Sequence, residues 1–222
     1  MIARQPDTGD VAARVAIKRW GCRFGLAAAA ATIGYDIVQI LQIAGVLRYP
    51  LDEILIYGTA LCIVIPFLIE MLALHHLTSG EKQFWTHGAL IFSALYAVFV
   101  TANYVVQLAT VIPANLSGSS AAVGILEQTP HSLFWNFDAI GYIAMGLATL
   151  MAVPAIGKTG FERWLRLSLL AHGWVTPLIA IVYFYPTYSN TLLLLGFPWA
   201  ITAPLFMILL ALRLGRPIDN AR

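Results

Sequence analysis

Charge is scarce in this chain. Lys and Arg number 13 and Asp and Glu 11 among 222 residues, a charged fraction of 11%. Ordinary soluble domains carry about 25%. The deficit excludes the solvated surface that a water-soluble enzyme of this size needs. A net charge of +2 excludes the strongly basic footprint of a nucleic-acid binder, so no nucleic-acid partner is expected. Cysteine is nearly absent. Cys22 and Cys62 have no metal spacing and read as unbridged, small, buried apolar residues. The sequence holds no phosphate-cradling glycine loop, zincin helix, serine elbow or haem-ligand pair. No cofactor and no metal are therefore expected.

What the chain does have is apolar length. Hydrophobic residues make up 59% and the mean hydropathy is +0.78. A membrane-spanning helix takes roughly 17–25 mostly apolar residues. Six runs qualify: 24–46, 54–76, 88–112, 133–156, 164–185 and 191–212. None alternates with the period of two that a barrel strand requires. The fold class is all-α: a polytopic membrane bundle of six transmembrane helices. Residues 1–20 form an N-terminal tail, 21–213 the transmembrane domain and 214–222 a C-terminal tail.

Basic residues set the orientation. With both termini in the cytoplasm, all of the 13 Lys and Arg except Arg48 fall on the cytoplasmic side, from Arg4 to Arg222. No cleavable signal precedes the first span, which is expected to act as its own anchor. The tail is expected to be a partly ordered positive flank, or else an interfacial helix through Val11, Val15 and Trp20. Loops are short except for 113–132 on the outer side. Its Gly, Ser and Pro mark irregular chain, and Ala121 to Leu126 are apolar enough to lie on the membrane face or to dip in as a lid. Tyr49, Trp135, Tyr183, Tyr185 and Tyr188 near the outer surface, with Trp20, Trp85 and Trp164 near the inner one, read as an interfacial aromatic belt.

Polar side chains inside the spans are the exceptions that ask for a function. Charge at the bilayer centre costs at least about 2.5–3.5 kcal/mol. Asp36, Glu70 and Asp138 are therefore the candidate catalytic groups. At about 1.5 Å of rise per residue, Asp36 lies roughly 15 Å below the outer end of its span, Asn103 roughly 14 Å, and Gln107 and Asp138 roughly 7 Å. Asp36 and Gln39 share one helix face, as do Asn103 and Gln107. Two polar stripes at matching depth predict a polar cavity open to the outer side, extended by Tyr35, Asn136 and Tyr142. Gln39, Asn103, Gln107, Asn136, Tyr142 and His172 are the candidate substrate-binding residues. Glu70 lies roughly 9 Å above the inner end of its span and His172 roughly 12 Å, so the two are expected to pair. Prolines at 66, 154, 177, 198 and 204 interrupt the spans. Gly141, Ala144 and Ala148 predict a close-packing face.

The third and fourth spans, YAVFVTANYVVQLATVIP and FWNFDAIGYIAMGLATLMAVPAI, resemble a broad group of small bacterial six-helix integral membrane proteins with no assigned activity. The likeness covers the last two-thirds of the chain and implies a bacterial inner-membrane setting. It transfers no catalytic residue.

Three functions fit these residues. Asp36 and Asp138 suit an acid–base enzyme of isomerase or cyclase type, acting on a lipophilic terpenoid, polyene or sterol-like molecule, with Asn103 and Gln107 orienting its polar group. A non-catalytic subunit that binds a membrane-protein partner, a lipid or a pigment fits as well, as does a homo-oligomer. A small transporter using Asp36 and Glu70 is the third.

Overall fold

In a computed structural model the structure describes residues 8–216. Arg4, Arg222 and the outermost residues of both tails lie outside the described residues. Six helices are long and apolar enough to cross a membrane. They are α1 Thr8–Ile43, α2 Leu51–Leu77, α3 Lys82–Val106, α4 Leu133–Ala152, α5 Gly160–Phe184 and α6 Pro198–Gly215. The protein is an all-α, multi-pass integral membrane protein. The end that bears both termini is termed inner, and the opposite end outer.

The expected spans hold, with local departures. Helix α1 runs through the predicted tail without a break, so residues 8–20 extend the first span rather than form a separate interfacial helix. At about 1.5 Å per residue its 36 residues reach some 54 Å, well beyond a hydrocarbon core of about 30 Å. Its exposed first turns therefore project past the inner end. The third span does not stop at 112. It passes through a π turn, Gln107–Val111, into a short helix, Ile112–Leu116. The sixth is broken at its outer end, where Asn190–Leu193 and Leu194–Gly196 precede α6. Pro198 opens α6 instead of interrupting it, where its missing N–H costs nothing. Pro66, Pro177 and Pro204 do sit inside helices.

Each helix packs on the next in sequence, and α6 closes on α1, making a ring of six. A lesser contact joins α2 to α6 across the middle. The outer wall is apolar: Ile37, Ile40, Val98, Trp174 and Ile201 are all exposed. That is a surface for lipid, not water. The interior is filled by aromatic rings. Phe67 lies edge-on to Tyr96 and to Phe206, with centroids 5.5 and 5.9 Å away. Trp199 meets Tyr142 at 5.0 Å and Tyr35 at 5.7 Å.

Small residues let the ring close. A Cβ on Gly141 would meet Val100 Cγ2 of α3 at 2.7 Å, and Ala144 and Ala148 are buried beside it. Here the expected packing face is present. At the inner end Arg213 Nε pairs with Glu162 Oε1 at 2.7 Å, and Glu162 Oε2 accepts the Gly157 amide. Arg166 donates to the carbonyls of Val153 and Ile156. These bonds staple the α4–α5 turn to α6. The cysteines depart from expectation, since Cys22 is half-buried and Cys62 exposed. Cys62 faces outward, where a small apolar thiol suits lipid.

Candidate functional site

Asp138 is the hub of the outer half. It sits on α4, in a helix started by Ser132, whose hydroxyl accepts the Trp135 amide at 3.1 Å. Its carboxylate is 3% exposed. Tyr104 of α3 donates to Oδ1 at 2.6 Å, and Tyr183 of α5 donates to Oδ2 at 2.5 Å. Asn103 Nδ2 reaches Oδ1 at 3.4 Å. A second phenol, Tyr142, lies 3.0 Å from the Tyr104 hydroxyl. Three helices thus converge on one carboxylate. In so apolar a setting an unpaired carboxylate would be far costlier than this bonded one.

The outer loop covers the cluster. Asn103 Nδ2 also donates to Gln128 Oε1 at 3.0 Å. Gln107 Nε2 donates to the Leu126 carbonyl at 2.8 Å, and Gln107 Oε1 accepts the Gln128 amide at 3.2 Å. Val123 is buried beneath the loop. Of the apolar stretch Ala121 to Leu126 only Val123 dips in, while Ala121, Ala122 and Ile125 are exposed; Asn103 and Gln107 hold the loop at Leu126 and Gln128. The π turn begins at Gln107, whose own amide is shared between the carbonyls of Asn103 and Tyr104. Such turns recur at functional sites because they redirect side chains within a helix.

The expected open outer cavity is not what forms. Asn103 and Gln107 are buried and closed over by the loop. Two clefts, of about 630 and 370 Å³, lie instead at the inner end. The expected partnership of Asp36 with Asp138 also needs correction. Asp36 is half-buried on the flank of α1 and makes no hydrogen bond among the described residues. Its neighbour Tyr35 is the buried one. Gln39 and Asn136 are likewise half-buried, and among the described residues their side chains form no hydrogen bond. Tyr142 does join the cluster.

Glu70 and His172 do not pair. Glu70 is fully buried, and neither carboxyl oxygen has a hydrogen-bond partner. Its head packs over Gly25 of α1, beside Ala211 of α6. His172 Nδ1 lies 3.0 Å from Thr202 Oγ1 instead, and its ring packs on Phe206 at 4.7 Å. Depth alone placed the two on a level, but they meet α6 at different heights, His172 at Thr202 and Glu70 nearer the inner end beside Ala211. Among the described residues no group of His, Cys, Asp and Glu is arranged to hold a metal.

Sequence reasoning missed Tyr104, Tyr183 and Gln128. Tyr183 and Trp135 were read as belt residues, because both fall near an outer helix end. Trp135 is buried, and its Nε1 donates to the Tyr183 carbonyl at 3.1 Å. Tyr104 carried a usable signal: with Tyr96, Val100 and Asn103 of α3 and Gln107 of the π turn it completes one buried stripe. Two buried atoms near the cluster remain without a protein partner, Asn103 Oδ1 and Trp199 Nε1. Buried polar atoms are rarely left so.

The chain matches no family model, no curated protein and no solved structure. Function is accordingly argued from the site's own chemistry.

Proposed function

We propose that the protein is an intramembrane acid–base enzyme of isomerase or cyclase type. Its substrate is a lipophilic small molecule, such as a terpenoid, polyene or sterol-like lipid. The observation that carries the reading is the Asp138 carboxyl, buried and gripped by Tyr104 and Tyr183 from two other helices. Asp138 and the Tyr104–Tyr142 pair together form a proton-exchanging group next to an aromatic interior. The chemistry needs no co-reactant. A proton added to one carbon of a double bond leaves a cation, and loss of a proton from a neighbouring carbon regenerates the acid. The product has the mass of the substrate. Aromatic faces stabilise the intermediate positive charge, and Tyr142, Trp199 and Tyr35 present such faces.

The two unpartnered atoms support a substrate with a polar end. Asn103 Oδ1 accepts and Trp199 Nε1 donates. Entry requires the loop over Gln107 to lift and the packed rings beneath it, Tyr142 and Trp199 among them, to part. Asp36, Glu70 and His172 stand outside this scheme. The bacterial inner membrane suggested by the sequence resemblance is retained as the proposed location.

A second reading has its own support. Both Asp138 oxygens are satisfied within the chain, as they are in a purely structural network. A non-catalytic subunit that binds a protein, lipid or pigment is built the same way. One experiment separates the two. Purified protein in lipid nanodiscs is incubated with total lipid extract from its source cells, and the extract is compared by chromatography and mass spectrometry. Conversion of one species to a product of equal mass is expected with wild type and absent with Asp138→Asn. Retention of a lipid without conversion favours the subunit.

A further inference from the structure

The inner-end cleft of about 370 Å³ lies between the first half of α1 and the end of α6. Lys18, Arg19 and Arg23 line it from α1, and Arg216 lines it just beyond α6. Among the described residues no acidic side chain shares the lining. Its apolar floor includes Val15 and Leu214. We propose that this cleft binds the phosphate of an anionic phospholipid headgroup.

Topology alone asks only that cations be on the inner side. It does not ask that they converge. Two inner cations serve the fold at the α4–α5 turn: Arg213 pairs with Glu162, and Arg166 binds two backbone carbonyls. The cleft cations come from two helices remote in sequence and meet across one hollow. Arg19 and Arg23 are four residues apart on one helix face. Aromatic rings steady two of the guanidinium groups. Arg23 Cζ lies 5.3 Å from the Trp20 ring centre, and Arg216 Cζ lies 3.7 Å from that of Phe161. Stacking uses the face of a guanidinium and leaves its edge N–H groups free for a phosphate fork.

The position selects a lipid over a free anion. Basic pockets between membrane helices on the cytoplasmic side suit anionic headgroups. The exposed apolar side chains of Leu26 on α1 and Leu212 on α6 belong to the same two helices and suit acyl chains. The site is independent of Asp138, which lies at the opposite end of the bundle.

The test uses the full chain in detergent micelles, titrated with phosphatidylglycerol, phosphatidylcholine or inorganic phosphate. Bound lipid is read by native mass spectrometry and by the rise in Tm. Wild type should retain phosphatidylglycerol and discriminate against phosphatidylcholine. The double variant Arg19→Gln/Arg23→Gln should bind phosphatidylglycerol about tenfold more weakly or worse. The control Lys82→Gln/Arg163→Gln loses the same charge outside the cleft and should bind like wild type. If the double variant does not purify as a folded protein, Arg216→Gln serves in its place, since that side chain is exposed at a helix end. Equal loss in cleft variant and control overturns the proposal, as does undiminished binding by the cleft variant. Equal binding of phosphatidylcholine also overturns it, and so does displacement of phosphatidylglycerol by inorganic phosphate, which would assign the cleft to a free anion.

Discussion

Asp138 and Glu70 are both buried acids, yet their surroundings are opposite. Asp138 has a donor for each oxygen, and Glu70 has none. Opposite consequences follow for stability. Tyr183→Phe removes one donor and leaves a buried carboxylate oxygen bare, at a cost of about 1–2 kcal/mol. Thermal unfolding should show a Tm lower by roughly 2–8 °C for a chain of this length. In an Asp138→Leu background the same change should cost little, because the acceptor has gone. Equal costs in both backgrounds would mean that the bond contributes nothing. Glu70→Met keeps an unbranched side chain of similar length and removes two orphan polar atoms. It should hold Tm level or raise it, whereas Glu70→Ala should lower Tm through the void it opens. A large loss with Met would reveal a partner for Glu70. The acids themselves were legible in the sequence, because an ionisable residue inside an apolar run stands out whatever the fold. Their partners were not. Phenols near a helix end serve interface and interior equally well in sequence, and only the ring arrangement turned Tyr183 inward.

Helices as units were legible for the same reason that lipid imposes them. Backbone groups in hydrocarbon must be satisfied within the segment, so a long apolar run leaves little choice. Where each run breaks was not legible. The π turn at Gln107–Val111 differs from α-helix only in which carbonyl each amide chooses, a choice no single residue type dictates. Contacts between elements carry their own signal in glycine. A Cβ on Gly25 would meet Ala211 Cβ at 2.8 Å and collide with the Glu70 carboxyl. Gly25→Ala should therefore part α1 from α2 and α6 and lower Tm. On the same helix, Gly34 has nothing within 4 Å of an added Cβ. Gly34→Ala should raise stability by about 0.5–1 kcal/mol from helix propensity alone. Both changes add one methyl to one helix, so opposite signs in a single melting experiment isolate the contact. The same sign for both would remove the close approach of α1 as a feature of the fold.

Across the whole molecule, an even number of crossings puts both described ends on one side, and basic residues say which side that is. The ring closes α6 on α1, so a missing or added span would leave one lipid-facing flank unmatched. It would also scatter cations to both sides. Among the described residues Arg48 alone of the cations lies at the outer end, near the α1–α2 turn, while Arg19, Arg23, Lys82, Lys158, Arg163 and Arg216 gather at the inner end. Energetic asymmetry of this kind acts during insertion, since short loops rich in Lys and Arg stay in the cytoplasm. The two ends also divide the candidate chemistry, with the Asp138 cluster under the outer loop and the basic cleft at the inner face. Orientation therefore decides which compartment supplies each ligand. It is measurable in a background where Cys22 and Cys62 are replaced by Ala. Ser119 in the outer loop and Thr159 in the α4–α5 turn are both exposed, so access to either depends on sidedness alone. In intact cells a membrane-impermeant thiol reagent should modify Ser119→Cys and spare Thr159→Cys. Permeabilising the membrane should then render both reactive. The reverse pattern in intact cells would place the termini outside and leave the inner-end cations facing the wrong leaflet for the topology that their charge implies.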